Sequence, residues 1–305
     1  MRLYKFLFII CSIFISSYSI ACLNGTQKEL STGTTLFADY DDIVPNGHHF
    51  FTDNLTDDLV KLDSLYTVQP KIDYLIEKGI IYIIQGKFQK AIDLYLDIEK
   101  QKPNQYSTAS NLGTAYELIG DNKNALKWIT KALELNPNSH EKSEWIHVNI
   151  LRIKLGELPL NSKNLINQDF GNEDSPKTNL STAEIKELIN YIYYQLNEHM
   201  SFVKPKNDIV AQLLFDYGNS LYLIKDFKNA KIAYDKAVEY GNTSSLLQKR
   251  LNLVKRNQQE KSNETEDSKK SITFFKEHWD TILISVLAVV IFFFVFKNKQ
   301  GKTRR

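Results

Sequence analysis

The chain has 305 residues, of which 43% are hydrophobic and 24% charged, and its formal net charge is +2. This composition is typical of one or two folded domains and excludes a largely disordered chain. The small net charge excludes binding to nucleic acid that is driven by overall charge. With only 12 Gly and 7 Pro beside 16 Tyr and 17 Phe, the composition favours helices over a turn-rich β fold.

The first 21 residues have the pattern of an export signal. Arg2 and Lys5 precede the apolar run FLFIICSIFIS, and the small residues of SIA precede Cys22. The pattern predicts a signal peptide over 1–21 that is cleaved before Cys22. SIAC is similar to a lipobox but has Ser19 where Leu is usual, so lipidation of Cys22 and ordinary cleavage both stay open. After cleavage one cysteine remains, which excludes an internal disulfide.

The C-terminal end predicts a membrane anchor. The stretch WDTILISVLAVVIFFFVF, residues 279–296, would span about 27 Å as a helix, close to the thickness of a bilayer core. The basic tail 297–305 is predicted to be cytoplasmic by the positive-inside rule. The polar stretch 261–278 is predicted to be a linker. Together with the signal, these features predict a single-pass protein of the inner (cytoplasmic) membrane whose main domain is periplasmic or otherwise extracytoplasmic.

Between 70 and 260 the sequence has helical periodicity and repeats itself. Residues 72–105 and 106–139 align with a spacing of 34 residues, and 211–242 forms a third clear unit. Small residues are expected where paired helices approach closely, tyrosines where they fill the space between helices, and proline where the second helix ends. The repeat-packing positions are Gly79, Tyr82, Gly113, Tyr116, Ala125, Pro137, Gly218, Ala230 and Ala237.

This spacing and pattern resemble the tetratricopeptide repeat. The resemblance implies an all-α fold, an α-solenoid of helix pairs, joined here to the C-terminal transmembrane helix. Residues 142–203 fit a distorted repeat with an insertion, and 244–259 an amphipathic capping helix. The preceding segment 22–69 is polar and is predicted to be irregular. SEWIHV and YIYYQLNEHMSFVKP are similar to a group of exported, membrane-anchored tetratricopeptide proteins of Bacteroidetes.

The resemblance implies a concave groove as the binding surface. Its mixed apolar and polar lining favours an unidentified protein or peptide partner, held by apolar and amide contacts. The sequence has no pattern for a catalytic residue or a cofactor, so we predict a non-enzymatic scaffold or adaptor, with a subunit of a membrane complex as a further reading. The predicted groove residues are Asp73, Ile76, Ile80, Ile83, Ser107, Ser110, Thr114, Glu117, Phe215, Asn219 and Tyr222.

One alternative is a periplasmic protein that binds a metal or ligand through the loop DYDDIVPNGHH. Carboxylates and imidazoles are suitable ligands, but their spacing fits no known site, and a solvated acidic loop is the favoured interpretation. The residues concerned are Asp39, Asp41, Asp42, His48 and His49.

The other alternative uses Glu144 and His147, which form a Glu-x-x-His motif on a predicted helix. One such motif is not a site, and the adjacent Glu198 and His199 are expected to point apart on a second helix. We therefore predict no metal at this position.

Overall fold

The computed structural model describes residues 27–39 and 42–260, together with single positions and short stretches between 270 and 289. The predicted signal peptide, Cys22, the basic tail, and most of the linker and of the predicted span 279–296 lie outside the described residues. Among the residues that are described, no helix is both long enough and apolar enough to cross a membrane.

Helices dominate the described chain, and their bounds follow the predicted repeats. In the first half lie α1 (Leu55–Val68), α2 (Ile72–Ile84), α3 (Phe88–Gln101), α4 (Tyr106–Leu118), α5 (Asn122–Leu135) and the short α6 (Ser139–Lys142). In the second half lie α7 (Glu144–Lys154), α8 (Ser162–Ile166), α9 (Thr182–Phe202), α10 (Asp208–Leu223), α11 (Phe227–Glu239) and a helical stretch over 245–260, here α12.

Three helix pairs, α2 with α3, α4 with α5, and α10 with α11, have the same connection. After α4 the chain turns at Gly120, whose φ of 83° is left-handed, and the N–H of Asp121 donates to the carbonyl of Tyr116 at 2.9 Å. After α10, Lys225 takes the same left-handed conformation with a φ of 63°. The predicted tetratricopeptide-like solenoid is therefore confirmed.

The repeat-packing residues lie between the paired helices. A Cβ atom on Gly79 or Gly218 would meet the ring of Tyr95 or Tyr234, so each glycine makes room for a tyrosine of the following helix. Three alanines of the second helices are fully buried, the two repeat tyrosines are partly buried, and the proline follows the end of α5. The residues concerned are Ala125, Ala230, Ala237, Tyr82, Tyr116 and Pro137.

The N-terminal segment is more ordered than predicted. Strands β1 (Gln27–Glu29) and β2 (Thr35–Ala38) pair antiparallel, and Phe37 forms an isolated bridge with Phe50. We call residues 27–39 and 42–50 the N-terminal strap, because they run across the helix pairs. Ser31 bonds Glu77 of α2 at 2.9 Å, and Pro45 accepts a hydrogen bond from Lys236 of α11 at 2.7 Å. The segment 22–69 was predicted to be irregular, whereas its described residues contain this hairpin and helix α1.

The predicted groove residues of α2 are buried, with the exception of Asp73. Ile76, Ile80 and Ile83 are buried in one apolar cluster with Leu36 and Phe37 of the strap and with residues of α1 and α3, so they do not lie on an open surface. Burial of these side chains in the core stabilises the fold but leaves no open apolar groove at this end of the solenoid.

On α10 the predicted groove residues are likewise enclosed. Phe215 and Asn219 are buried, and Asn219 accepts hydrogen bonds from Tyr234 and Arg250. Tyr222 is partly buried and accepts a hydrogen bond from Asn257 of α12. Of the other predicted positions, Ser107 is buried and Asp73 is exposed.

Replacing Gly113 tests the close helix approach. In Gly113→Ala the new Cβ would lie 2.3 Å from Cδ1 of Ile129, so we expect a loss of about 1–3 kcal/mol in the free energy of unfolding. Ile129→Ala removes the opposing atoms and creates a cavity of its own. Denaturant unfolding of the variant with both substitutions should therefore show a smaller loss of unfolding free energy than the sum of the two single losses. Additive losses would contradict the proposed contact.

Candidate metal centre

A cavity of about 320 Å³ lies where α4, α7 and α9 converge below the strap. Three predicted groove residues of α4, Ser110, Thr114 and Glu117, line it. The inner face of α4 thus borders a partly open cavity. Besides α4, α7 and α9, the strap contributes His48 and α6 contributes His140, so five parts of the chain build this space.

Glu117, His147 and His199 come together at the wall of the cavity. Nε2 of His147 lies 2.6 Å from Oε2 of Glu117, and Nε2 of His199 lies 3.6 Å from Oε1 of the same carboxylate. One ligand atom from each residue lies within 4.8 Å of the other two. Two imidazoles and one carboxylate from three helices have thus converged although the chain separates them widely.

The contacts of the two Nδ1 atoms explain how the rings of His147 and His199 are oriented. Nδ1 of His199 lies 2.9 Å from the carbonyl oxygen of Gln195, which can only accept, so Nδ1 carries the proton. Nδ1 of His147 faces the carboxylate of Glu144 at 3.7 Å. In both rings the Nε2 atom is thereby turned toward Glu117, which is the arrangement that outer partners give to metal-ligating histidines.

The Nε2 atom of His199 is one of several buried polar atoms among the described residues of this region without a hydrogen bond, and it is the one that faces Glu117. The residue is only 8% exposed, and its Nε2 makes no hydrogen bond to any residue that the structure describes. Leaving a buried polar atom unpaired costs about 1–3 kcal/mol, so the atom is expected to have a further partner in the functional protein.

A second group of charges lies behind His147. Glu144 is fully buried between His147 and His140, with His140 Nδ1 in direct contact with its carboxylate. Nε2 of His140 lies 3.3 Å from Oε1 of Glu198. His140 is held there by a left-handed turn in α6, where three successive residues from His140 to Lys142 have φ between 49° and 68°. Such backbone is unfavourable for residues other than glycine and is found at functional sites.

The electrostatics of the site require positive charge beside its carboxylates. Burial raises the pKa of Glu117, but the charge and hydrogen bond of His147, together with the nearby His199, hold it well below its ordinary value. Burial lowers the pKa of His147, yet Glu117 and Glu144 raise it to about 10. Lys154 adds an ammonium group 2.5 Å from Oε1 of Glu117. A cation at the centre would replace the proton that the carboxylates otherwise hold on His147.

No metal was predicted at this position, and the structure brings one carboxylate and two imidazoles close enough together to hold an ion. Glu144 and His147 were singled out by their spacing, but only His147 faces Glu117, while Glu144 supports it from behind. Glu198 and His199 do not diverge as predicted, because both line the cavity and contact different partners in it.

Among the described residues of the loop DYDDIVPNGHH, no three ligating groups lie close enough together to hold a metal ion. His48 is buried against Asp39 at 2.9 Å and stacks on Phe37, whereas Asp42 and His49 are exposed. Asp41 lies outside the described residues. His140 and Lys154 were missed, and nothing in their local sequence marks them as site residues.

Residues 77–152 match the profile of DUF6340, a domain of unknown function. The match includes Glu117 and His147 and ends before Lys154 and His199. No curated protein matches the sequence.

Several solved structures are similar to the chain. A tetratricopeptide repeat protein from Parabacteroides merdae is 15% identical, with a TM-score of 0.31, over 66% of this chain and 92% of that chain. MamA of MSR-1 is 15% identical, with a TM-score of 0.31, over 61% and 87% of the two chains. BtubC (BKLC) from P. vanneervenii is 15% identical, with a TM-score of 0.29, over 68% and 82%. At this level of similarity the functions of these proteins are not transferred to the chain.

The buried carboxylate of Glu144 should make the metal-free protein sensitive to acid. Burial raises its pKa, but the charge of His140 and the hydrogen bonds from His140 and His147 lower it to about 2. Because the folded-state pKa lies below the ordinary glutamate value of 4.5, the charged form contributes stability above pH 4.5, and this contribution is lost as the pH falls toward 2.

Unfolding of chelator-treated protein between about pH 6 and pH 3 measures this contribution. Glu144→Gln should lose less stability over that range than the wild type does. Glu141→Gln, at an exposed position of the same turn, is the matched control and should follow the wild type. Equal acid sensitivity of Glu144→Gln and wild type would contradict the prediction.

Proposed function

We propose that the protein binds one divalent transition-metal ion in this cavity, through Glu117, His147 and His199. The observation that carries the proposal is the buried Nε2 of His199, which has no hydrogen-bond partner in the described chain and faces Glu117 beside His147. Imidazole and carboxylate ligands suit zinc, iron, cobalt or nickel better than calcium or magnesium.

The three ligands are supported as metal ligands usually are. Glu144 and the carbonyl of Gln195 fix the ring orientation of the two histidines, and Lys154 contacts the carboxylate of Glu117. Three protein ligands leave further coordination positions open, and the cavity adjoins the ligand atoms. This is the arrangement of a site that exchanges ligands, whereas structural zinc sites are closed by four protein ligands.

A second proposal is the scaffold function predicted from the repeats. The observation that favours it is the α-solenoid itself, an architecture suited to binding proteins or peptides. Because the predicted groove residues Ile76, Ile80 and Ile83 are buried, a partner would use the outer helix faces. Export and membrane tethering rest on the terminal sequences alone and stay predictions.

Metal binding can be measured on the full chain purified in a neutral detergent. After removal of metal by a chelator, we expect titration with Co²⁺ or Zn²⁺ to give about one equivalent per chain, with a visible Co²⁺ spectrum showing nitrogen ligands. His199→Gln removes one ligand at similar size and should weaken binding by at least about 10-fold.

The matched control is His49→Ala, since His49 is an exposed histidine that does not line the cavity. It should bind the metal as the wild type does. Thermal melting of the metal-free variants checks that they are folded. Failure of the wild type to bind either ion, or unchanged binding in folded His199→Gln, would refute the proposed site.

A further inference from the structure

We infer that the metal centre binds a small monocarboxylate, whose carboxylate group would be held by the metal and by Lys154 and whose body would be apolar. The inference rests on the proposed metal site and names the ligand that its open coordination positions take. It is carried by the position of Lys154, by the charges around the site and by the two kinds of cavity wall.

Lys154 lies where it can bind a second anion. Its ammonium group contacts Oε1 of Glu117, the same carboxylate that is proposed to ligate the metal, and its side chain is 23% exposed. An ammonium group has three N–H donors, and the contact with Glu117 engages one of them. A carboxylate on an open metal position beside Glu117 would therefore come within reach of Lys154.

The charges at the metal position favour an anionic ligand. A divalent metal and Lys154 would contribute three positive charges against the one negative charge of Glu117. Behind them, each ring nitrogen of His140 faces a carboxylate oxygen, one of Glu144 and one of Glu198. An open coordination position beside Glu117 and Lys154 is therefore a favourable place for an anion.

The walls indicate the rest of the ligand. Leu118, Phe202 and Val203 contribute apolar side chains to the lining, beside polar residues such as Ser110 and Thr114. A fully ionic ligand such as phosphate would bring charged oxygens against these apolar side chains. A short branched aliphatic acid places its carboxylate at the metal and its methyl groups against the apolar residues.

The test uses isobutyrate as the probe and the neutral isobutyramide as its isostere. The full chain is saturated with Co²⁺, so that a change in metal affinity does not affect the comparison. We expect isobutyrate to shift the visible Co²⁺ spectrum and to bind by calorimetry, and isobutyramide to bind about 10- to 100-fold more weakly. In the metal-free protein, isobutyrate binding should be weaker by a similar factor.

Lys154→Met keeps the length of the side chain and removes its charge. At saturating Co²⁺ it should weaken isobutyrate binding by about 10- to 100-fold, whereas Lys249→Met, at an exposed lysine outside the cavity, should have no effect.

Co²⁺ binding without a spectral response to isobutyrate would overturn this inference and leave the metal site intact. Equal binding of isobutyramide, or unchanged isobutyrate binding in Lys154→Met, would also overturn it. Failure of Co²⁺ itself to bind would instead refute the proposed function, so the two failures are distinguishable.

Discussion

The buried carboxylate of Glu117 is the constraint on which the middle of this solenoid depends. Removing an unpaired charge from water costs several kcal/mol, so every element that covers the inner face of α4 has to bring a compensating group. The second repeat packs its apolar residues as its sequence pattern requires, but its inner face also presents this one acid. α7 contributes His147 and Lys154 beside the carboxylate of Glu117, and α9 contributes His199. The interruption of the repeat after α5 is thus connected with the site, because a regular helix pair would place its apolar positions there.

The geometry of α9 makes this possible. It has 21 residues, against 11 to 16 in the helices α2–α5, α7, α10 and α11, and the capping box of Ser181 and Glu184 fixes its start. Its final turns therefore extend as far as the cavity, where Glu198 and His199 act on different partners. A long connection separates α9 from α7, in place of the short turn that joins the helices of a regular repeat. The irregular repeat thereby brings His199, the third proposed ligand, to the cavity.

The repeats could be predicted from the sequence because their determinants are local and periodic. Gly113 needs to be small for Ile129, and this requirement recurs 34 residues away at Gly79. The site could be predicted only in part, since no periodicity relates Glu117 to His199 and the link between them passes through the interrupted repeat. Glu117 was placed on the inner face of α4, but nothing local showed that this face is enclosed. The groove on α2 was predicted to be open because the stretch that contains Leu36 is mostly polar, and a short hairpin buries its few apolar residues all the same.

The strap and the candidate metal centre depend on each other. Gly47 has a φ of 82°, and a Cβ there would lie 2.6 Å from the backbone of Met200, so a side chain at this position would push the strap away from α9. On either side of His199, Asn197 accepts a hydrogen bond from the N–H of Gly47, and Ser201 accepts one from the N–H of His48. The strap thereby holds the turn of α9 that carries His199, while the carbonyl of Gln195 fixes its ring. Because the position of a ligand is fixed within tenths of an ångström only when its supporting shell is rigid, the strap has a role in the site besides covering the apolar core.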